Sequence, residues 1–315
     1  MDPDRRHPRL GYLLAAVAAA FFGINGSIVR AAFDRGVEAG PLSQLRVTVA
    51  FALLVATLAV VAPRRLKIAP ADVPRMAWLG IAGLAIVQWS YFLAVERLPI
   101  SVALTIQFTG PMLVLLWLRV AHRRRLRPSL YGAVALSVVG SALVVEIYDA
   151  DGLDGLGVLF AVIAAFTLAV YFIGFERAGH AYDAFTTLVW ALGFATLFWL
   201  VISPPWTFPF GDFADLGTLG LGLAVVVVGT LVPFLLNVTA LRHLPAARVG
   251  VVAALEPPIA TAVAWVVHGE ALTGVQLAGG LMVVAAVAWV QSHAPSPDVE
   301  GVPAWRLKAA AGRAD

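Results

Sequence analysis

The chain has 315 residues, of which 60% are apolar and only 13% charged, with a formal charge of +3 and no cysteine. That balance lies far from a soluble domain's, and the lack of cysteine removes disulfides and thiol chemistry. The small positive charge needs no nucleic-acid partner to account for it, because cytoplasmic loops of membrane proteins are basic.

Arg5, Arg6 and Arg9 precede an apolar run in which Ala18-Ala19-Ala20 imitates a signal-peptide cleavage site. The run continues through Phe21, Phe22 and Ile24, so the expectation is a retained first helix. Further on, charges fall into short clusters, and Val47 to Ala62, Leu156 to Phe175 and Ala271 to Val290 carry none. Such runs approach the roughly 20 residues that a helix needs to cross hydrocarbon. Hydropathy predicts spans near 10–31, 42–62, 76–95, 100–119, 129–147, 155–173, 184–202, 217–240, 247–267 and 273–291. The longest loop among them, Ser203 to Asp215, carries aromatics suited to a membrane interface. From Ser292 the tail reads as unstructured.

With the N-terminus inside, eighteen of the 22 Lys and Arg residues fall on the cytoplasmic side. Arg30, Arg35 and Arg97 fall outside with the acidic loop Glu146 to Asp154, and Arg46 lies within the second span. This asymmetry predicts an even number of spans with both termini cytoplasmic.

A shift of 146 residues brings Leu98-Pro99 onto Leu244-Pro245, Pro111 onto Pro257 and Leu126 onto Leu272, and one further residue aligns Gly132 with Gly279. Landmarks that recur with matching hydropathy predict an internal repeat. Five spans per unit is an odd number, so the second unit must start from the opposite face. The expected fold is an all-α membrane protein of ten transmembrane helices in two inverted five-helix repeats, 10–147 and 155–291, flanked by cytoplasmic segments 1–9 and 292–315. That is an architecture of secondary transporters. Pro111, Pro233 and Pro257 deprive the carbonyls of Gln107, Gly229 and Ala253 of their helical donors. Such carbonyls are tolerated at membrane depth only where protein or a wet cavity meets them.

The segment L-E-P-P…H-G-E-A-L-T-G-V-Q-L-A-G-G, from Leu255 to Gly280, resembles the end of an EamA domain of the drug/metabolite transporter superfamily. F-F-G-I-N-G-S-I-V-R in the first span and L-S-Q-L-R in the second resemble it too, and Arg46 matches a family arginine. Where the first half would show the family's Gly-Glu corner, it has Ala121-His122-Arg123-Arg124-Arg125. The resemblance extends to the YddG-like amino-acid exporters. It implies ten helices around a central cavity, export of small metabolites, and a bacterial cytoplasmic (inner) membrane as location.

The expected substrate-binding set is Asn25, Gln88, Trp89, Gln107, Phe108, Tyr171, Asn237 and Glu256. Glu256, beside Pro257 and Pro258, could pair with a substrate ammonium or carry a proton; alternatively it is a packing acid bonded across a kink. Arg46, expected near the outer end of its span, could grip a carboxylate bidentately or tie two helices together. The amides, with Thr239, suit a zwitterion or a polar neutral solute. Interhelical hydrogen bonds of about 0.6–2 kcal/mol each are the alternative. Phe22, Trp89, Tyr91, Phe108, Phe166, Tyr171 and Trp190 could hold an apolar side chain or a cation, or simply pack.

Ala133, Ser137 and Ser141, with Gly132, Gly140, Gly279, Gly280, Ala285 and Ala286, make small-residue faces for contact within the chain or in a homodimer. The histidines lie in loops, at span ends or in terminal segments, without H-E-x-x-H, and no G-K-[ST] occurs. The expectation is therefore no enzyme, no metal and no cofactor. The predicted partners are a small-molecule substrate and membrane lipid. The rival expectations are export of other drugs or metabolites, a lipid-handling flippase or enzyme, and a channel.

Overall fold

The computed structural model describes residues 7–98, 100–120, 128–144, 154–268 and 273–292, and every element among them is helical. The Ala121–Arg125 segment, most of the Glu146–Asp154 loop, Gly269 and Glu270, and the tail beyond Ser292 lie outside the described residues. In chain order the helices are α1 (Pro8–Phe33), α2 (Ala39–Val61), α3 (Val73–Gly80), α4 (Val87–Val95), α5 (Ile100–Gln107), α6 (Gly110–Val120) and α7 (Pro128–Val144). There follow α8 (Gly155–Ala178), α9 (Ala184–Ile202), α10 (Leu216–Val226), α11 (Val232–His243), α12 (Ala246–Ala253), α13 (Glu256–His268) and α14 (Gly274–Ser292). Two π-helical segments, Ile81–Ile86 and Val227–Leu231, join α3 to α4 and α10 to α11. Carboxylates fix three of the starts: Asp154, Asp183 and Asp215 each accept backbone N–H bonds at the head of α8, α9 and α10.

Eight stretches are long and apolar enough to cross a membrane, and Pro128–Val144 and Gly274–Val290 are shorter apolar helices. Several expected single helices are composite. Gln107 and Ala253 end one helix, and Gly110 and Glu256 begin the next, because Pro111, Pro257 and Pro258 bring no N–H to the crossing. Glu256 thus opens a helix instead of lying inside one.

Helix boundaries recur at the spacing read from the prolines. The first π segment starts at 81 and the second at 227; α5 and α12 start at 100 and 246, α6 and α13 at 110 and 256, α7 and α14 at 128 and 274. The packing recurs as well. α1 lies on α11, α12 and α13, while α8 lies on α4, α5 and α6, so the first helix of each half is embedded in the other half. Two tight crossings repeat in kind. A Cβ on Gly11 would stand 2.7 Å from Leu244 Cγ and 2.9 Å from His243 Cβ, and one on Gly157 would stand 2.7 Å from Leu98 Cγ and 2.9 Å from Arg97 Cβ. The small-residue faces meet within the chain: Gly140 and Gly279 press on each other's carbonyls as α7 crosses α14.

Interhelical ties divide between two ends of the bundle. At one, the His7 N–H donates to His243 Nδ1 (3.3 Å), Trp190 Nε1 to the Leu66 carbonyl (3.1 Å), and the Ala246 N–H to Glu176 (3.1 Å). There too the Tyr182 hydroxyl donates to Asp72 (2.6 Å), and that bond holds the phenol above its ordinary range. At the other end Arg35 pairs with Asp215 (3.3 Å) and Gln44 Nε2 donates to the Ser203 carbonyl (2.6 Å). In the loop 203–215, Trp206 and Phe210 are largely exposed and Phe213 turns inward onto Phe208.

Candidate functional site

The second π segment builds one wall of the site. Pro233 cannot donate to the Gly229 carbonyl four residues back, and the π geometry swings that carbonyl off the helical ladder. Arg46 supplies the missing donor. Its Nη2 donates to the Gly229 carbonyl at 2.8 Å and its Nε to Thr230 Oγ1 at 2.9 Å, while the Thr230 hydroxyl donates to the Val225 carbonyl at 3.0 Å. Arg46 is 7% exposed. The expectation that it sits near the outer end is corrected here: the Cα lies early in α2, but the guanidinium reaches the middle of the Leu216–His243 stretch. Asn25 packs directly against Gly229, where any Cβ would collide with its amide. Its Oδ1 is buried without a hydrogen-bond partner among the described residues.

The broken helix α12–α13 contributes Glu256. Glu256 stands in the first turn of α13, where an acidic side chain is favourably placed against the helix dipole. Gly23 allows the close crossing of α1 there, since a Cβ would lie 3.0 Å from the Ala260 nitrogen and 3.1 Å from the Glu256 carbonyl. The Glu256 carboxylate lies within Coulombic range of Arg46 on α2 and of Tyr91 on α4. Among the described residues no direct ion pair joins it to Arg46; the direct pairs lie on exposed side chains such as Arg35–Asp215 and Arg97–Glu96. Glu256 is enclosed by the first, second and third spans and still keeps accessible surface. That combination makes Glu256 a candidate cavity-lining side chain.

Aromatic rings continue the lining. Phe22 meets Phe234 edge-on at 5.3 Å between centroids, Tyr171 meets Phe234 at 5.8 Å and Phe175 at 4.8 Å. Asn237, one turn beyond Phe234, is buried with Oδ1 unpartnered, as is the Tyr171 hydroxyl. Asn25 and Tyr171 occupy equivalent places in the two halves. Asn25 lies on Gly229 of one π segment, and the Tyr171 backbone lies on Gly83 of the other, 3.3 Å from where a Cβ would be. The remaining expected residues are less connected. Trp89 turns to α9 and packs edge-on against Phe198 at 5.6 Å. Phe108 is buried in the main core at the break between α5 and α6. Gln88 and Gln107 are half-buried, and neither side chain is hydrogen-bonded among the described residues. Thr239 bonds back to the Leu235 carbonyl of its own helix at 2.6 Å.

Residues 9–146 and 155–291 each match the EamA-like transporter family. The chain belongs to that family. EamA-like proteins are transporters and not enzymes, and this multi-span EamA-like chain is one of them. It is 28% identical over 279 residues to the threonine/homoserine exporter RhtA of Salmonella typhimurium (strain SL1344), covering 88% of this chain and 90% of the relative. The exporter of the same name in Escherichia coli K12 is 27% identical over 270 residues, covering 85% and 86%. An uncharacterised transporter of Archaeoglobus fulgidus is 27% identical over 216 residues, covering 66% and 76%. A solved crystal structure shares the fold, with a TM-score of 0.73 and 18% identity over 90% of this chain and 97% of the other.

Thr230 carries no sequence signal of its own, whereas the spacing to Pro233 marks the Gly229 carbonyl and Tyr91 is one of seven candidate aromatics. Trp89 and Tyr91 are two residues apart and therefore face different sides of one helix, which is why Trp89 packs with Phe198 on the main core while Tyr91 packs on the Ala94, Leu98 and Val102 cluster.

Proposed function

We propose that the protein is a secondary transporter that exports small organic metabolites, amino acids first among them, by alternating access. Ten spans form two inverted five-helix repeats, 10–147 and 155–291, with both termini cytoplasmic in a bacterial inner membrane. The pair of π segments and the pair of broken helices carry this reading. They give both halves donor-poor backbone at equivalent positions, one π segment against Asn25 and Arg46 and the other against Tyr171, which supports alternating access about a shared site. Asn25, Gln88, Trp89, Gln107, Phe108, Tyr171, Asn237 and Glu256 are assigned to the substrate cavity. The similarity to the threonine/homoserine exporters supports amino acids as the first solutes to test.

Purified protein in proteoliposomes loaded with unlabelled threonine or homoserine should accumulate the radiolabelled solute by counterflow, and the uptake should saturate. Absence of counterflow across a broad amino-acid panel would overturn the proposal. Flux that never saturates would indicate a channel, and turnover of a lipid in extracts would indicate a lipid-handling protein.

A further inference from the structure

The charges around the cavity are not equally available to a solute. Two buried cations stand among the described residues, Arg46 and Arg248. Arg46 is 7% exposed and spends two donors on the Gly229 carbonyl and the Thr230 hydroxyl. Arg248 is 6% exposed, sits at the head of α12 toward one end of the bundle, and donates from Nη1 to the Tyr12 hydroxyl at 3.1 Å. Both are fastened into helix packing. Glu256 is the opposite case: it faces inward from the start of a thirteen-residue helix, keeps accessible surface, and is hydrogen-bonded to nothing among the described residues. Beside this region lie two further buried side chains with unpartnered acceptors, the amides of Asn25 and Asn237. The accessible charge is one carboxylate, and the neighbouring amide oxygens and aromatic rings are neutral and buried, which is a cation's environment.

Building on the exporter reading above, we infer that the cavity recognises its solutes through their ammonium group. Glu256 is the counter-charge, the Asn25 amide lies against Gly229, whose carbonyl Arg46 holds, and the solute's carboxylate receives no ionic partner. The substrate class is then primary amines bearing a small polar or apolar side chain, and α-amino acids are members of it without being its limit. Arg46 acts as a positioning residue: it fixes the carbonyl of the π segment and offsets part of the charge of an empty Glu256. An ammonium that enters takes over that second role.

The test uses the wild-type protein and threonine counterflow, with two competitors added at equal concentrations. Threoninamide keeps the ammonium and loses the carboxylate; N-acetylthreonine keeps the carboxylate and loses the ammonium. Threoninamide should compete within about threefold of threonine, and N-acetylthreonine should be weaker by about tenfold or more, because stripping one partner from a desolvated charge pair is worth at least a decade in affinity. Equal competition by N-acetylthreonine, or failure of threoninamide while threonine itself is carried, overturns the inference and leaves the exporter reading standing. Absence of counterflow for threonine and for every other member of the amino-acid panel overturns both, and where another amino acid is carried instead, its amide and its N-acetyl derivative replace those of threonine. In Glu256→Gln the ratio between the two competitors should collapse toward one; a ratio preserved in protein that melts like wild type also overturns the inference. The wild-type series decides the matter even where that variant does not fold.

Discussion

Replacing Pro233 by alanine should weaken the hold that Arg46 has on the fold. In the native chain Pro233 cannot supply the i+4 donor for the Gly229 carbonyl, and Arg46 Nη2 bonds it at 2.8 Å. Arg46→Met removes that donor together with the 2.9 Å bond to Thr230. A charge-assisted bond is worth about 1.5–3 kcal/mol and an orphaned buried acceptor costs about 1–3 kcal/mol. Intramembrane bonds average nearer 0.6 kcal/mol, because the unfolded chain in a micelle finds other partners. We therefore expect Arg46→Met alone to cost roughly 2 kcal/mol, a compromise between those ranges. Alanine at 233 brings back an N–H for the Gly229 carbonyl, so in that background the same substitution should cost about 1 kcal/mol less, within the usual range for directly coupled residues. Loss of the Arg46 charge within Coulombic range of Glu256 is common to both arms of the cycle and cancels. Equilibrium unfolding of the four purified proteins in micelles gives the coupling. Two costs that agree within about 0.3 kcal/mol, the scatter expected of independent sites, would refute the assignment of Arg46 as the cap of this carbonyl.

Three further outcomes follow from the same geometry. Gly11→Val and Gly157→Val should each destabilise by about 1–3 kcal/mol, the range for overpacking, by similar amounts and additively, since a Cβ meets its leucine at 2.7 Å in both places; melting temperatures that shift at only one site would count against equivalent crossings. The chain has no cysteine, so single cysteines can be placed directly at the exposed positions Asp34, Asp212, Lys67 and Ala181. An impermeant maleimide added to intact cells should label the first two and spare the others, and any other partition breaks the proposed topology. Glu256→Gln should flatten the pH dependence of transport while exchange persists; an unchanged pH profile in well-folded protein assigns Glu256 to binding alone.

Much of the scaffold was legible because proline leaves a backbone signature that hydropathy alone does not. Pro111 and Pro257 marked both helix breaks, and Pro233 marked the carbonyl that Arg46 holds. The first π segment carries no proline; Gly80 and Gly83 let it press against α9 and the Tyr171 backbone, a cause visible only once the helices are packed. Side-chain reach was the other gap. Depth read from the position of a Cα put Arg46 near an interface, whereas a long guanidinium stem carried its charge to the centre. The amides were the least legible. Asn25 is fixed by its contact with Gly229, but nothing in the spacing of Gln88 or Gln107 distinguishes a cavity wall from an unbonded span residue.

Backbone and side chains follow different symmetries in this molecule, and the difference bears on directionality. At one end of the bundle Tyr12 accepts from Arg248 and donates to the Val290 carbonyl at 3.4 Å. A shift of 146 carries those positions onto Val158, Val102 and Val144 at the other end, where Val158 and Val102 share an apolar cluster and Val144 is buried. Equivalent backbone is thus closed by a polar latch at one end and by valines at the other. The centre is divided in the same way: Asn25 answers to Tyr171, Asn237 to Tyr91 and Glu256 to Gly110. In the proposed alternating-access cycle the repeated backbone would let the two halves exchange shapes, and the unmatched side chains would make the two end states unequal in energy and give a solute one carboxylate to meet, not two. The first property permits such a cycle and the second lets a ligand bias it.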